Sequence, residues 1–184
     1  WGVALRLRGE PPLGASGEGL VRGQTLMLGY LDDPAATASV LEEGWLRTGD
    51  VGVFDAEGRL RIVDRLKDLI LRGGANVYPS EVEDALQHHP DVRALAVVGR
   101  PDEDLGEEVV AVVVPREPVS SPDAFRAFAA SLEAFARSRI ARNKIPRELV
   151  MVDALPLGPS GKVLKRTLRA QLASGALQGR LLRG

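Results

Sequence analysis

Four charged side chains stand within the five residues from Asp64 to Asp68, and they divide the sequence into two parts. Before this segment, short runs in which apolar residues alternate with small or basic ones predict strands. After it, apolar stripes typical of helices alternate with further strand runs. The sequence therefore predicts an α+β fold of two units joined near residues 64–68. Its 184 residues are enough for one ordinary domain or two small ones.

The first part is predicted to be mainly strand, with a single helix. Asp33 followed by Pro34 predicts the start of that helix, because Asp supplies the N-cap acceptor and Pro suits the first helical position. Val40 and Leu41 would form its apolar side, and Gly44 would end it. The predicted strands are residues 3–8, 20–22, 51–54 and 60–63, with a hairpin turn at 55–58.

The second part is predicted to alternate strands with longer helices. Pro79 and Ser121 mark the starts of two helices, because each stands where a helix begins favourably. Leu164, Leu168 and Leu172 lie on one stripe of a final helix. The predicted strands are residues 69–71, 92–98, 109–114 and 149–152.

Charge and cysteine content exclude several classes of protein. Lys and Arg total 24 and Asp and Glu total 25, so the net charge is −1 and a globally basic nucleic-acid binder is excluded. The chain has no Cys, which excludes disulfides, thiolate zinc sites and a Cys nucleophile. No apolar run reaches the ~18–20 residues of a membrane span. We therefore expect a cytoplasmic protein without a nucleic-acid partner or a membrane span.

Two suggestive patterns fail because their spacing is wrong. Residues 158–162 resemble a phosphate-binding loop, but that motif requires Gly where this chain has Pro156, and Ser or Thr where it has Val163. His88 and His89 are adjacent, and neighbours on a helix diverge by ~100°. We therefore expect histidines at the surface or at a helix end, and no shared metal.

Three segments beside glycines carry groups suited to ligand binding, and each has a structural alternative. Asp50, between two predicted strands, could accept two hydrogen bonds from a diol such as a ribose, or could form a turn that caps a loop. Gly73 and Gly74 would let a ligand approach the backbone closely, or would form a hairpin turn. Lys162, just before the final helix, could meet a phosphate or a carboxylate, or could be a solvated lysine.

A basic excess lies in residues 137–169. This segment has nine basic residues and only two acids, Glu148 and Asp153. A face of that charge attracts phosphates within a Debye length of ~8–10 Å, although a solvated helix flank explains it equally well. The residues alone therefore predict an α+β protein that could bind a polyphosphate, and no more.

The order of six motifs carries more information than any one of them. The motifs are Gly29-Tyr30, Pro34 with Thr37, Gly44–Asp50, Asp64–Ile70, Gly73–Glu83 and Pro159–Lys162. In this order they resemble the acyl-activating adenylate-forming enzymes, which include acyl-CoA synthetases, nonribosomal peptide adenylation domains and firefly luciferase. The resemblance extends from about Gly17 to Leu172. Residues 76–79, Asn-Val-Tyr-Pro, are more similar to the acyl-CoA synthetase branch than to the peptide-synthetase branch.

The resemblance implies an enzyme that activates a carboxylic acid with ATP and Mg²⁺ to an acyl-adenylate and then transfers the acyl group to CoA. Residues 1–66 would be the terminal β-rich subdomain of a large adenylation domain, and residues 67–184 a mobile α+β carboxy-terminal lid domain. The phosphate loop, the adenine-binding segment and the acid pocket would belong to a missing amino-terminal adenylation domain. The chain is therefore expected to be a carboxy-terminal fragment that is inactive by itself.

Six residues acquire roles from their motif positions. The resemblance implies ribose binding by Asp50 with help from Arg65, a hinge at Lys67, a pantetheine channel lined by Gly73 and Gly74, and an adenylation lysine at Lys162. It identifies no metal ligand in this chain. Two departures from the family pattern are Asp64, where Gly is usual, and Asn143, where an aromatic residue is common.

Two other functions stay open on the sequence. The chain could belong to an enzyme that loads a carrier-protein thiol instead of CoA, or it could be a non-catalytic module for binding or regulation. The tail after Leu172 contains no carrier domain with a phosphopantetheine serine, which favours the CoA-dependent branch.

Overall fold

The computed structural model describes residues 2–181, and the chain divides into two compact units. Unit 1 comprises Trp1–Lys67 and unit 2 comprises Asp68–Gly184. The boundary falls in a 3-10 turn formed by Leu66–Asp68.

Unit 1 is an antiparallel sheet of five strands with one short helix. Strand β4 is the longest and pairs with β2 along one edge and with β3 and β5 along the other. The elements are β1 (Val3–Leu7), β2 (Ser16–Gly23), α1 (Pro34–Val40), β3 (Leu41–Glu42), β4 (Trp45–Phe54) and β5 (Leu60–Arg65). The predicted hairpin between β4 and β5 is confirmed.

Two predictions for the strands of unit 1 are wrong in their bounds. Strand β2 begins at Ser16, ahead of the strand predicted over residues 20–22, because its backbone pairs with β4. The segment Thr48–Asp50 lies inside β4 and not between two strands. Glycines weaken the sequence signal for strands, whereas pairing with neighbouring strands decides the outcome.

Helix α1 begins as predicted and ends early. Asp33 Oδ1 accepts a hydrogen bond from the Ala36 amide at 2.8 Å, which confirms the predicted N-cap. The helix ends at Val40 and not near Gly44, because Leu41 turns to an extended conformation and pairs with Leu46 of β4. None of its residues is buried, so the predicted apolar side does not face a core within this unit.

Unit 2, as described over residues 68–181, is a mixed sheet of six strands with three helices. Its elements are β6 (Ile70–Arg72), β7 (Ala75–Val77), α2 (Pro79–Leu86), β8 (Val92–Asp102), β9 (Gly106–Pro115), α3 (Pro122–Arg137), β10 (Glu148–Met151), α4 (Lys165–Ala173) and β11 (Arg180–Leu181), with a 3-10 turn at Arg142–Lys144. Strand β9 is central: it pairs antiparallel with β8 and parallel with β10, and forms one bridge with β6.

The sheet of unit 2 is buried on both faces. Alternate residues of β9 belong to different apolar clusters, since Ala111 packs with α2 and α3 while Val110 and Val112 pack with Leu168 of α4. Side chains of a strand alternate between faces, so helices on both sides explain the continuous run of valines in β9. At least 15 buried residues form the larger cluster, which gives this unit a core of its own.

His89 is buried, which the sequence did not predict. It follows the end of α2, as expected, but only 2% of its surface is exposed. Its Nε2 lies 3.0 Å from Ser131 Oγ, and its ring packs against Phe128 and Phe135 of α3. His88 beside it is exposed, so the two rings point to different environments.

A buried ion pair connects β6 to β9. Arg72 Nε lies 2.8 Å from Glu108 Oε1, and the exposed fractions of the two side chains are 16% and 1%. The same guanidinium donates to the carbonyl oxygen of Asn143 at 2.7 Å.

None of the helices described in residues 2–181 has the length and apolar character needed to span a membrane.

Candidate functional site

The structure brings Asp50 and Arg65 together, although 14 residues separate them in the sequence. They stand opposite each other in the β4–β5 ladder, and Arg65 Nε lies 3.0 Å from Asp50 Oδ1. The exposed fractions of the side chains are 57% for Arg65 and 32% for Asp50. The pair therefore presents a carboxylate, oriented by a guanidinium, to solvent.

Thr48 and Gly49 set the backbone that carries Asp50. Thr48 Oγ1 donates to the carbonyl oxygen of Gly19 at 2.8 Å and accepts from the Asp50 amide at 3.1 Å. Gly49 has φ +71°, a left-handed conformation that L side chains rarely adopt. The local turn is thus capped by the threonine hydroxyl, and the alternative in which the Asp50 carboxylate caps it is wrong.

A depression of about 400 Å³ opens beside this pair. Its lining includes Arg47, Thr48, Gly49, Arg65 and Lys67. The lining also contains a glutamate and apolar side chains, so the depression is not uniformly cationic.

Glu18 also lines this depression, and the sequence analysis did not identify it. Only 7% of its surface is exposed, and its Oε2 lies 3.2 Å from Arg47 Nε and 3.5 Å from Arg8 Nη1. A buried carboxylate needs such partners, because desolvation penalises its charge. The only sequence signal was a Glu between two glycines, in a segment where no strand was predicted.

Lys67 is exposed and lies at the boundary of the two units. Its ammonium has no partner among residues 2–181. Asp68, the next residue, differs: its side chain is 14% exposed, and its Oδ1 lies 2.9 Å from Arg169 Nη2. The bonding of these neighbours therefore changes abruptly at the boundary.

Lys162 extends from a tightly bonded loop of unit 2. Gly158 donates its amide to the carbonyl oxygen of Lys162 at 2.8 Å, and an isolated bridge joins Leu157 to Val163. Gly161 has φ +75°, which allows the loop to close. The Lys162 side chain is exposed and has no partner in the part of the chain that the structure describes. The loop thus holds its backbone while leaving its ammonium available.

Carboxylates offset much of the predicted basic excess. Five of the nine basic residues have an ion-pair partner: Arg137, Lys144, Arg147, Lys165 and Arg169. The Arg139 guanidinium lies over the ring of Phe135, 3.5 Å from its centroid. Within residues 2–181, only Arg142, Lys162 and Arg166 of this set have unpaired cationic groups.

Gly73 and Gly74 form the two-residue turn between β6 and β7. Their φ angles are +56° and +79°, so the hairpin requires glycine or a residue that tolerates this conformation. A Cβ at Gly73 would meet Leu105 Cδ2 at 3.4 Å, whereas a Cβ at Gly74 would have no atom within 4 Å. The hairpin alternative is correct, and space beside Gly74 stays open.

No cluster of three or more His, Cys, Asp or Glu residues suited to a metal ion occurs within residues 2–181. The carboxylates near the predicted site are engaged separately: Asp50 with Arg65, and Glu18 with Arg8 and Arg47. The side chains described in residues 2–181 therefore form no cluster of three or more such metal ligands.

Comparison with known proteins identifies the family to which these sequence motifs and this fold belong. Residues 81–162 match the model of the AMP-binding enzyme C-terminal domain. The chain is also 46% identical over 162 residues to a feruloyl-CoA synthase from Amycolatopsis sp, covering 88% of this chain and 32% of that protein. The chain belongs to the acyl-activating adenylate-forming family. It spans about one third of the length of the relatives it matches.

Solved structures of adenylate-forming enzymes share the fold. The o-succinylbenzoate CoA synthetase from Bacillus subtilis, solved with its acyl-adenylate intermediate, matches with a TM-score of 0.80 and 34% identity, over 92% of this chain and 34% of that one. The amide bond synthetase McbA from Marinactinospora thermotolerans matches with a TM-score of 0.78 and 44% identity, over the same shares. The predicted α+β class and family are confirmed.

Within this chain, the predicted site residues fall in both units. Asp50 and Arg65 meet in unit 1, and Lys67 is the last residue of that unit. Gly73, Gly74 and Lys162 belong to unit 2. The roles assigned to these six residues stay predictions.

Proposed function

We propose that this chain is the carboxy-terminal part of an acyl-CoA ligase, which converts a carboxylic acid and ATP to an acyl-adenylate and then transfers the acyl group to CoA. The observation that carries the proposal is the exposed, unpaired ammonium of Lys162 on a bonded loop. Most basic neighbours of Lys162 are paired within the protein, so this cation stays available for an external anion. ATP and CoA are cytoplasmic metabolites, and we place the enzyme in the cytoplasm.

In the adenylation step, a carboxylate oxygen attacks the α-phosphorus of ATP and diphosphate leaves. Lys162 would offset the negative charge that gathers on the carboxylate and the α-phosphate. Asp50 would accept hydrogen bonds from the ribose hydroxyls, with its carboxylate oriented by Arg65. Mg²⁺ would enter the site bound to the phosphates of ATP.

In the transfer step, the CoA sulfur attacks the acyl carbon and AMP leaves. The Gly73–Gly74 turn would line the passage of the pantetheine arm. Open space around the α-carbon of Gly74 supports this role, because no described atom beyond Gly74 and its two chain neighbours lies within 4 Å of the position that a Cβ would occupy.

The two steps would use two orientations of unit 2, related by rotation about Lys67. The division of the chain after Lys67, and the exposed, unpartnered side chain of that residue, support a hinge there. Residues 1–66 would remain with the adenylation domain, and residues 67–184 would move as a lid that first delivers and then withdraws Lys162.

A larger amino-terminal body would complete the enzyme. Unit 1 has only three buried hydrophobic residues within its described part, Leu7, Leu20 and Val51. Leu28 and Leu31 are 102% and 91% exposed. These exposed leucines and the small core support a contact with other protein. The length of the relatives, about three times that of this chain, supports an adenylation domain carrying the phosphate loop and the acid pocket.

The acceptor has a second candidate. The chain is 44% identical to an amide bond synthetase, so an amine could replace the CoA thiol in the second step. A carrier-protein thiol is a third acceptor, and a non-catalytic module would use none. Supplying the acyl-adenylate with CoA, a carrier protein or an amine, and measuring AMP release, separates these cases.

The decisive experiment is ATP–diphosphate exchange with the complete protein that contains this chain, beside its Lys162→Ala variant. One preorganised electrostatic contact is worth ~3–4 kcal/mol, so exchange should fall by about 10²–10³-fold while thiolysis of supplied acyl-adenylate largely survives. Arg166→Ala, another exposed and unpaired cation, is the matched control and should leave exchange unchanged.

Two results would contradict the proposal. Equal losses of exchange and thiolysis in Lys162→Ala would refute the role of that lysine. Robust exchange by the 184-residue chain alone would refute the view that it is incomplete.

A further inference from the structure

Two ion pairs attach helix α4 to distant parts of unit 2. Lys165 Nζ lies 2.8 Å from Glu83 Oε1 of α2, and Arg169 Nη2 lies 2.9 Å from Asp68 Oδ1. The four side chains are between 14% and 29% exposed, so both pairs are largely shielded from water. We call them the α4 ion pairs.

The α4 ion pairs lie on one side of the helix, one turn apart. Lys165 and Arg169 have the i, i+4 spacing that places side chains above one another. The neighbouring stripe, Leu168 and Leu172, is buried in the sheet. Apolar packing sets how close the helix lies to the sheet, whereas directional pairs at two levels also oppose its sliding and rotation.

The position of α4 determines that of the Lys162 loop. The helix begins at Lys165, three residues after Lys162. Between them, Leu164 donates its amide to the carbonyl oxygen of Pro156 at 2.8 Å, and Val163 forms its bridge with Leu157. A shift of α4 would therefore pull directly on the bonded base of the loop.

The other end of one α4 ion pair is the residue that follows Lys67. Asp68 is the first residue of unit 2, and Arg169 connects it to the helix that carries the Lys162 loop. Residue 68 is thus connected to the Lys162 loop by one ion pair, with Arg169, and by helix α4. Glu83 fixes the start of the same helix and also accepts a hydrogen bond from the Val97 amide at 2.7 Å.

We propose that Asp68 and Glu83 are positioning residues for Lys162: by binding Arg169 and Lys165, they make residue 68, α4 and the Lys162 loop move as one body. This rests on the proposed function, since it assumes that Lys162 acts in adenylation after rotation about Lys67. If α4 were held loosely, it could shift relative to the rest of unit 2 during the rotation, and the Lys162 ammonium would then be misplaced. Small misplacements of a reacting group reduce rates steeply.

The kinetic test uses Arg169→Gln in the complete protein. We expect kcat for adenylation to fall about 10-fold, with an unchanged KM for ATP and unchanged thiolysis of supplied acyl-adenylate. Arg166→Gln removes an exposed, unpaired cation from the same helix, and Lys144→Gln breaks an ion pair that does not include α4. Both controls should keep the kcat of the parent. The exchange Asp68→Arg with Arg169→Asp should restore at least half of the lost rate.

A purely stabilising role predicts a different pattern. Adenylation and thiolysis would then fall together in Arg169→Gln, in proportion to the loss of folded protein, and the Lys144→Gln control would behave alike. That pattern, or a failure of the exchanged pair to restore kcat while the protein stays folded, would overturn the proposal.

A second measurement is independent of catalysis. In the 184-residue chain, amide hydrogen exchange at Gly158 and Leu164 should accelerate at least about threefold in Arg169→Gln and stay unchanged in Arg166→Gln. Equal exchange rates in both variants would refute the positioning role. Absence of adenylation by the unaltered complete protein would instead refute the proposed function, so the two failures are distinguishable.

Discussion

Two arginine–carboxylate pairs of similar length should contribute very differently to stability, because one is buried and the other is not. The distance is 2.8 Å for Arg72–Glu108 and 3.0 Å for Arg65–Asp50. In the first pair the side chains are 16% and 1% exposed, and in the second 57% and 32%. Distance alone would predict equal effects.

The difference in burial predicts that removing the two arginines will have unequal effects on stability. Arg72→Ala would leave the Glu108 carboxylate inside the protein with only the Val109 amide at 2.8 Å and Arg147 at 3.7 Å as partners. Breaking a buried pair costs about 3–5 kcal/mol, and these two remaining partners favour the lower end, near ~3 kcal/mol. Arg65→Ala removes an exposed pair and should lower the free energy of unfolding by less than ~1 kcal/mol.

Urea unfolding of the 184-residue chain can follow each unit by a separate signal. Trp45 lies in β4 of unit 1, so its fluorescence reports on the unit that holds Arg65. Within residues 2–181, three of the four helices belong to unit 2, so far-ultraviolet circular dichroism reports mainly on the unit that holds Arg72. Equal losses for the two variants, or a larger loss for Arg65→Ala, would refute the argument from burial.

The double variant Arg72→Met with Glu108→Leu supplies the control for this reasoning. Apolar residues of similar volume remove both charges together, so no carboxylate is left unpaired. We expect this variant to recover much of the stability that Arg72→Ala loses. A double variant as unstable as Arg72→Ala would show that lost packing, and not a stranded charge, causes the effect.

Two further predictions concern single residues. Burial lowers the pKa of His89 below its usual 6.5. Between that lowered pKa and pH 6.5, the unfolded chain binds more protons than the folded chain. The His89 contribution to the free energy of unfolding is therefore complete above pH 6.5 and decreases as the pH falls below 6.5. His89→Gln should remove this slope between pH 7.5 and 5.5 in urea titrations, whereas a slope that persisted there, or vanished in His88→Gln, would contradict it. Gly74→Val should cost at least ~1 kcal/mol because φ is +79°, while Gly74→Asn should be tolerated better; equal melting temperatures for the two would argue against backbone strain.

The sequence predicted elements with strong local signals. The Asp33 and Ser121 caps and the β4–β5 hairpin are confirmed, because their signals lie within a few residues of each other. The course of β4 through Gly49 was not predicted, since pairing with β2 and β5 decides it. Local pattern is informative where local bonding dominates.

Long-range contacts explain what sequence reasoning missed at the site and in the core. The burial of His89 depends on α3, whose Ser131 is 42 residues away, and Glu18 is buried against Arg47, 29 residues away. Asp50 and Arg65 were identified by motif order, but their 3.0 Å contact required the register of β4 and β5. No periodicity within either segment carries such information.

The hydrogen bond from the Val97 amide to Glu83 has a consequence for how this protein behaves in a crowded solution. Within residues 2–181, strand β8 pairs with β9 alone, so the amides and carbonyls on its other side have no strand partner there. Such edges recruit strands of other molecules and start aggregation. Glu83 occupies one of these amides with a carboxylate, which Lys165 holds in place. We expect this carboxylate to make the outer side of β8 a poorer template for a strand of another molecule.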